Sequence, residues 1–511
     1  MTTRRDVLKT AAVAMGSTLL PFSTRASAAG KSGGTLKVAL YADPRTFDPH
    51  RAGSLQGRAT TQSIHDTLFE LDSGGNLAPG LVEAWEWKDN QTILLTTRAG
   101  VKFHDGTDFD AEAVRYNLER IRNPDTGSIR GGEISALDTV ETLDSRTVRL
   151  RLKQPFAAFL FPLVDVAGCV ASPTALERWG KEYGQHPAGT GPFKVVEYMK
   201  DAQSVMEKNG DYWMSGKPYL DELILRPVPV DSTRLAELRS GGVDFAESLP
   251  LQDISRLRGS NEIVVSEKVG FRWEWFGFNV REEYAGRSQK LRQAFQWAID
   301  REAMHHAAYF GTGSIGYDGI LPGTPFHDPD YKPFTRDVDK AKRLIDESGL
   351  DEPIELLAPV TSDPVKQRAS QIFMANAEEI GVKINTESIE KSGYWAAMKK
   401  GTMQLMLEGW WGYRPDPDQY LYLMLHSSGK QAKRMGYNNP KMDALMDKQR
   451  SVTDLGERRK LFRQISALMN EDAVYVPYHY GSDFKGHSPK VKGFVHTQDS
   501  IISYREIYLE S

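Results

Sequence analysis

The chain has one cysteine in 511 residues, Cys169, which rules out an intramolecular disulfide and a thiolate metal cage. No histidine stands near it to make a catalytic pair, so it reads as a small buried hydrophobe. No run of about 18 apolar residues occurs, which excludes a membrane-spanning helix. There is no basic stripe or Lys/Arg block, which argues against nucleic acid as a partner. The 11 histidines form no His-Glu-x-x-His and do not cluster with carboxylates at ligand spacing, so neither a dedicated metal site nor a resident cofactor is expected. His305 and His306 are adjacent, about 100° apart on a helix, and cannot chelate one ion together. Gly311-Thr-Gly-Ser-Ile-Gly316 is not a nucleophile elbow.

What is present begins with an address. Arg4-Arg5, an apolar stretch from Ala11 to Phe22 broken by Gly16, Ser17 and Thr18, and Ala26-Ser27-Ala28 read as a cleaved twin-arginine-type signal over residues 1–28. Its four basic residues against Asp6 carry +3, so cleavage takes the formal charge from −4 to −7. The mature chain of about 480 residues exceeds one hydrophobic core and predicts two or three domains in a soluble, exported protein.

Strand and helix patterns alternate along the chain. Ile354, Leu356, Leu357 and Val360 form a short apolar run closed by Pro364. Ala369, Ile372, Phe373, Ala377 and Ile380 follow at helical spacing up to Gly381, then Val382, Ile384 and Thr386 alternate as a strand. A short helix over 394–400 leads to the apolar run Met403–Leu407, a strand buried on both faces. This order predicts an open, doubly wound α/β domain. Asp110 and Asp337 are expected to cap helices, the second ending at Gly349, and 143–152 and 219–230 to be strands.

Several segments mimic active-site motifs. Phe103-His-Asp-Gly106 suggests a His–Asp pair, but Asp-Gly is a turn signal ahead of the Asp110 helix. Gly189-Thr-Gly-Pro192 lacks the Lys-Ser/Thr of a phosphate loop. Asp416 and Asp418 flank Pro417 and suggest paired carboxylates; the simpler reading is helix initiation, with Asp416 as cap, Pro417 first in the helix and Asp418 in its first turn.

Eight spaced motifs, in order, carry a family resemblance. They are Thr46-Phe-Asp-Pro49, VKFHDGTDFDAEAVRYNLER (101–120), GTGPFKVVEY (189–198) and NGDYWMSGKPYLDELILR (209–226), then LAELRSGGVDFA (235–246), GFNV (277–280), LRQAFQWAIDRE (291–302) and DVDKAKRLIDESG (337–349). Together they resemble the extracytoplasmic solute-binding proteins of ABC importers, family 5, the peptide/nickel/opine class. The resemblance implies a two-lobed α/β periplasmic binding protein fold, type II-like, with a subdomain inserted in the first lobe. It places lobe I at 29–273 with the insert at about 62–185, lobe II at 274–475, and a completing segment at 476–511. The chain would cross between lobes near Phe271–Phe278 and Val474–Pro477. It implies a monomer without catalysis, which hands a small solute to an ABC permease in the inner membrane; some relatives carry nickel within a chelate. An exported hydrolase is the different-class alternative, and no nucleophile, base and orienting group support it.

The ligand wall is sought in GWWGYRPDPDQY, residues 409–420. Trp410 and Trp411 follow the 403–409 strand, and ligands of open α/β sheets bind outside the carboxyl ends of strands. Neighbouring side chains on an extended chain alternate faces, so one tryptophan can pack inward while the other meets the cleft; both packing lobe against subdomain is the alternative. Peptide-binding relatives carry Gly-Trp-x-x-Asp here, whose acid holds the ligand's amino group. This chain has Tyr413 at that position, with Arg414 beside it, and a phenol cannot supply the charge that pairs with an ammonium. Trp275 (with Arg272 and Trp273), Trp395 (with Tyr394) and Phe47 complete the expected ligand-binding set. Each ring buried from water contributes about 1.5–3 kcal/mol.

Overall fold

The computed structural model describes residues 33–72, 75–411, 416–497 and 499–510, with backbone alone at 270, 271 and 411. The expected export signal lies outside the described residues. Among those described, no helix is long and apolar enough to cross a membrane.

The largest sheet has nine strands: β1 (Thr35–Leu40), β2 (Phe193–Met199), β3 (Gln203–Lys208), β4 (Glu222–Pro227), β5 (Phe245–Ala246), β6 (Val264–Phe278), β7 (Ser314–Ile315), β8 (Leu405–Trp411) and β9 (Tyr475–His487). Their order is β8-β6-β9-β5-β1-β4-β3-β2, with β7 paired to β9. Two members are unusually long: β6 has 15 residues and β9 has 13. They run antiparallel from Val264 opposite His487 to Gly277 opposite Tyr475, with register irregularities between Val269 and Arg272 and between Glu274 and Trp275. One end of this ribbon lies beside β5, through Phe245 opposite His487; the other lies beside β8, through Phe278 opposite Leu405.

Five large hydrophobic cores follow from this layout. At the β5 end, Leu36, Val38 and Phe193 pack on one face of the sheet, and Leu238, Leu249 and Phe484 on the other. At the β8 end, Trp273, Trp275, Tyr420 and Tyr475 form one core, and Phe276, Phe278, Phe295 and Phe373 the other. A fifth core belongs to the four-stranded antiparallel sheet of Val82–Trp87, Thr92–Thr97, Thr147–Leu152 and Leu137–Thr142, covered by the Ala111–Arg122 helix.

Most local signals hold. Asp110 accepts from Ala113 N at 2.9 Å and Asp337 from Lys340 N at 2.8 Å, each capping its helix. The second helix stops at Asp346, three residues before Gly349. Ile354–Val360 and Val382–Ser388 pair in parallel across the Pro364–Glu379 helix. The third strand of that unit differs from expectation: β8 starts two residues later and hydrogen-bonds antiparallel to β6. Gln404 Oε1 accepts the Leu357 N–H at 3.0 Å, so a side chain takes the bond that a third parallel strand would use. The sheet is therefore mixed.

The motif look-alikes are structural. Gly106 closes its turn at φ +85°, Asp105 accepts from Ser172 Oγ at 2.5 Å, and His104 Nε2 donates to the Gly191 carbonyl at 2.9 Å. A Cβ on Gly189 would sit 2.2 Å from the Ile64 carbonyl oxygen, so this glycine lets the chain pass against the Leu55–Ile64 helix.

Burial pushes His50 and His65 down to about 3 from 6.5. His50 Nδ1 accepts from Arg120 and its Nε2 donates to Cys169 O, an arrangement for the neutral ring. The unfolded chain binds these protons near pH 6.5 and the folded chain does not. Their stabilising contribution is therefore complete above that pH and is lost as pH falls toward 3. Urea titrations at pH 7.5 and pH 5 should show about 2 kcal/mol lost per histidine, and His65→Gln should reduce the slope; an unchanged slope would refute the assignment.

Candidate functional site on the β6–β9 ribbon

The period-two alternation of β6 sorts its residues. Trp273 and Trp275 point into one core, while Phe276 and Phe278 point into the other, with Arg272 and Glu274 on that second side. Glu274 is buried and pairs with Arg272 through Nε; the Arg272 side chain stays 26% exposed. Opposite Glu274 on β9 stands His479, stacked on Tyr309 with ring centroids 3.7 Å apart and His305 at 5.7 Å. Tyr309 follows the π-helical turn Met304–Ala308, a rare geometry often found at functional sites.

Charges here come in pairs. Burial alone would lower the Arg272 guanidinium, but Glu274 and Tyr309 hold it above its usual range. Burial, with His305 and Arg272 adding, keeps the His479 ring neutral. On the edge strand, Lys366 pairs with Glu408, and the Leu407 carbonyl accepts from Tyr394 OH at 3.0 Å. Asp363 caps the Pro364–Glu379 helix at the carboxyl end of its strand and adds to the field on Arg272. Polar atoms are left over here: Glu274 Oε2 and both His479 ring nitrogens have no hydrogen-bond partner among the described residues.

The expected site residues separate. Trp410 is half-buried against the Trp273 core, the inward-packing alternative for that residue. The Trp411 side chain, Tyr413 and Arg414 lie outside the described residues. Trp275 is 1% exposed and meets Tyr475 edge-on at 4.8 Å, because alternation turns it away from Arg272; it is core, not pocket wall. Phe47 is likewise core, fully buried against Tyr198 at 5.0 Å beneath β1. Trp395 is 37% exposed on the Lys391–Lys400 helix and packs edge-on against Tyr394. Glu274, His479, Tyr309 and the Lys366–Glu408 pair were not anticipated. Strict alternation over 272–278 would have flagged Glu274, whereas His479 and Tyr309 arrive by long-range pairing.

The two aspartates do not act together. Asp416 receives Arg458 at 2.6 and 3.0 Å, and Asp418 receives Arg450 at 2.8 and 2.9 Å as well as Gln449. Asp416 also accepts Asp418 N at 3.0 Å, but the helix begins at Asp418, one residue later than expected. Each carboxylate is paired with its own arginine rather than with the other carboxylate.

A Cβ on Gly409 would lie 2.3 Å from Glu274 Oε2. Gly409→Ala should therefore lower the melting temperature, and Glu274→Ala in the same chain should recover part of that loss. Purely additive effects of the two changes would show that the contact is unimportant.

Residues 76–432 match the sequence model of the bacterial extracellular solute-binding proteins, family 5 Middle. The glutathione-binding protein GsiB of Salmonella paratyphi A is 28% identical over 484 residues, covering 93% of this chain and 94% of the relative. The ABC transporter-associated periplasmic binding protein DppA of Helicobacter pylori, solved with the peptide STSA, superposes with a TM-score of 0.81 at 27% identity, over 94% of this chain and 99% of that one. The periplasmic binding protein AgaA of A. tumefaciens R10, solved with agropinic acid, gives 0.80 at 25% identity over the same shares. The chain thus belongs to the family 5 extracellular solute-binding proteins, on the two-lobed periplasmic binding fold, and is a substrate-binding component of an ABC importer.

Proposed function

We propose that the protein captures a small polar solute, peptide-like or opine-like, between two lobes in the periplasm and presents it to an inner-membrane permease. It works as a monomer without a chemical step, after export by the twin-arginine route. Lobe I comprises 29–273 with an insert at about 62–185, lobe II 274–475, and 476–511 completes lobe I. The separate cores at the two ends of the β6–β9 ribbon, and the separate core of the four-stranded sheet, support two lobes and an insert, with Trp273, Val476, Tyr478 and Tyr480 packing in the lobe II cores just beyond those bounds. Capture follows from differential affinity of the closed and open states.

The observation that carries the ligand reading is the Arg272–Glu274 pair at the junction, with its partly exposed arginine side chain. A guanidinium recognises a carboxylate through directed hydrogen bonds, which suits a C-terminal carboxylate or an opine acid. The three relatives named above are described with glutathione, a peptide and agropinic acid, and each of these carries a carboxylate. Tyr413, where peptide-binding relatives keep an acid, favours an anionic, amino-acid-derived solute over a plain peptide held by its amine; a sugar-containing or metal-chelate anion satisfies the same features.

Calorimetric titration with glutathione, Ser-Thr-Ser-Ala and agropinic acid tests this. At least one should bind without turnover, and Arg272→Ala should weaken it by about 10- to 100-fold, the loss expected for a charged hydrogen bond, when measured well below the melting temperature, which the unpaired Glu274 will lower. Turnover of any of them, abolished by a single substitution, would instead favour the hydrolase.

A further inference from the structure

The insert and lobe II touch away from the two crossing strands. Ala157, in the loop that follows Pro155, donates its N–H to the Arg450 carbonyl oxygen at 2.7 Å. The Arg450 guanidinium lies over the Phe156 ring at 4.8 Å and over Tyr422 of its own lobe at 3.2 Å. Phe156 packs on the core of the four-stranded sheet; Arg450 sits near the end of the Pro440–Ser451 helix. Because β6 and β9 carry the covalent connection between lobes, this contact must break whenever the lobes part.

Arg450 is also wired to the start of the Asp418–Leu425 helix. Its guanidinium is held by Asp418 at 2.8 and 2.9 Å. Gln449 reaches Asp418 with its amide nitrogen and accepts Arg458 Nη2 with its oxygen at 2.8 Å, and Arg458 binds Asp416. Asp416 and Asp418 are buried, so these pairs fix the guanidinium plane rigidly, and that plane is what Phe156 meets. A contact made by exposed side chains would be loose; this one is positioned from behind by two buried ion pairs.

We propose that Arg450 is a closure latch: a positioning residue that links the segment after β8 to the insert and stabilises the closed arrangement of the lobes. This rests on the lobe division proposed above and is independent of the ligand's identity. The Asp416–Arg458–Gln449–Asp418–Arg450 chain then has a role beyond helix initiation. It converts the placement of Asp416 and Asp418, at the start of the Asp418–Leu425 helix, into a contact with the insert.

Electron–electron double resonance tests it on the full exported chain without added solute. Spin labels go on Asp144→Cys and Lys441→Cys, both exposed, while native Cys169 is buried. The native protein should show a short-distance component. Phe156→Ala, which leaves the Arg450–Asp418 pair intact, should lower that component roughly fivefold, as loss of one cation–π contact would. Ala157→Pro, which removes the N–H donor and also restricts the backbone at Phe156, should lower it in the same direction. Arg450→Lys should retain more of it than Arg450→Ala. An unchanged short-distance component in both Phe156→Ala and Ala157→Pro overturns the latch, and so does its absence from the native protein. Failure of every probe in the calorimetric titration would leave this result standing, so the two proposals fail separately.

Discussion

The pairing of β6 with β9 is the constraint on which the rest of the molecule depends. Two strands of 15 and 13 residues stay hydrogen-bonded through both halves of the fold. A register slip would turn every side chain to the wrong face, because successive residues alternate. At one end that alternation sends Phe276 and Phe278 against Phe295 and Phe373, and Trp273 and Trp275 against Tyr475. The polar residues of the site are left at the stretch between these cores and the β5 end. Arg272 and Glu274 lie between the two register irregularities, where a bulge increases local twist and bends the strand.

Buried charges form the second layer of this organisation. Asp416 and Asp418 are tied to arginines from two later helices, and Asp48 receives Arg120 at 2.6 and 2.9 Å beneath the β1 lobe. Such pairs add little net stability, because desolvation offsets their attraction, but removing one partner leaves an uncompensated charge and costs about 3–5 kcal/mol. Their value is positional. They hold the start of the Asp418–Leu425 helix against its neighbours, and with it the end of the loop that the sequence marks out.

Local chemistry was legible in the chain, and long-range geometry was not. Helix starts at Asp110 and Asp337 and the parallel unit around Pro364–Glu379 were readable because capping and hydrophobic periodicity act within a few residues. The family motifs supplied the two-lobed plan. What failed was the choice of pocket residues by aromaticity: Phe47 and Trp275 are large and apolar, and the cores claimed them first. Aromatic rings bury more area in a core than in a water-filled cleft, so an aromatic beside a predicted hinge is weak evidence for a wall. The partners of Asp416 and Asp418 were also out of reach, since Arg450 and Arg458 lie 32 and 42 residues downstream.

The close approach of Gly409 to Glu274 has a consequence for descent. A methyl group at 409 would fall 2.3 Å from the acid's oxygen, so position 409 cannot gain a side chain while residue 274 keeps its length and place. A lineage that shortens residue 274 becomes free to place a side chain at 409, and one that keeps the acid must keep the glycine. Among descendants of this protein, a side chain at 409 should therefore appear only together with a shortened or displaced residue 274.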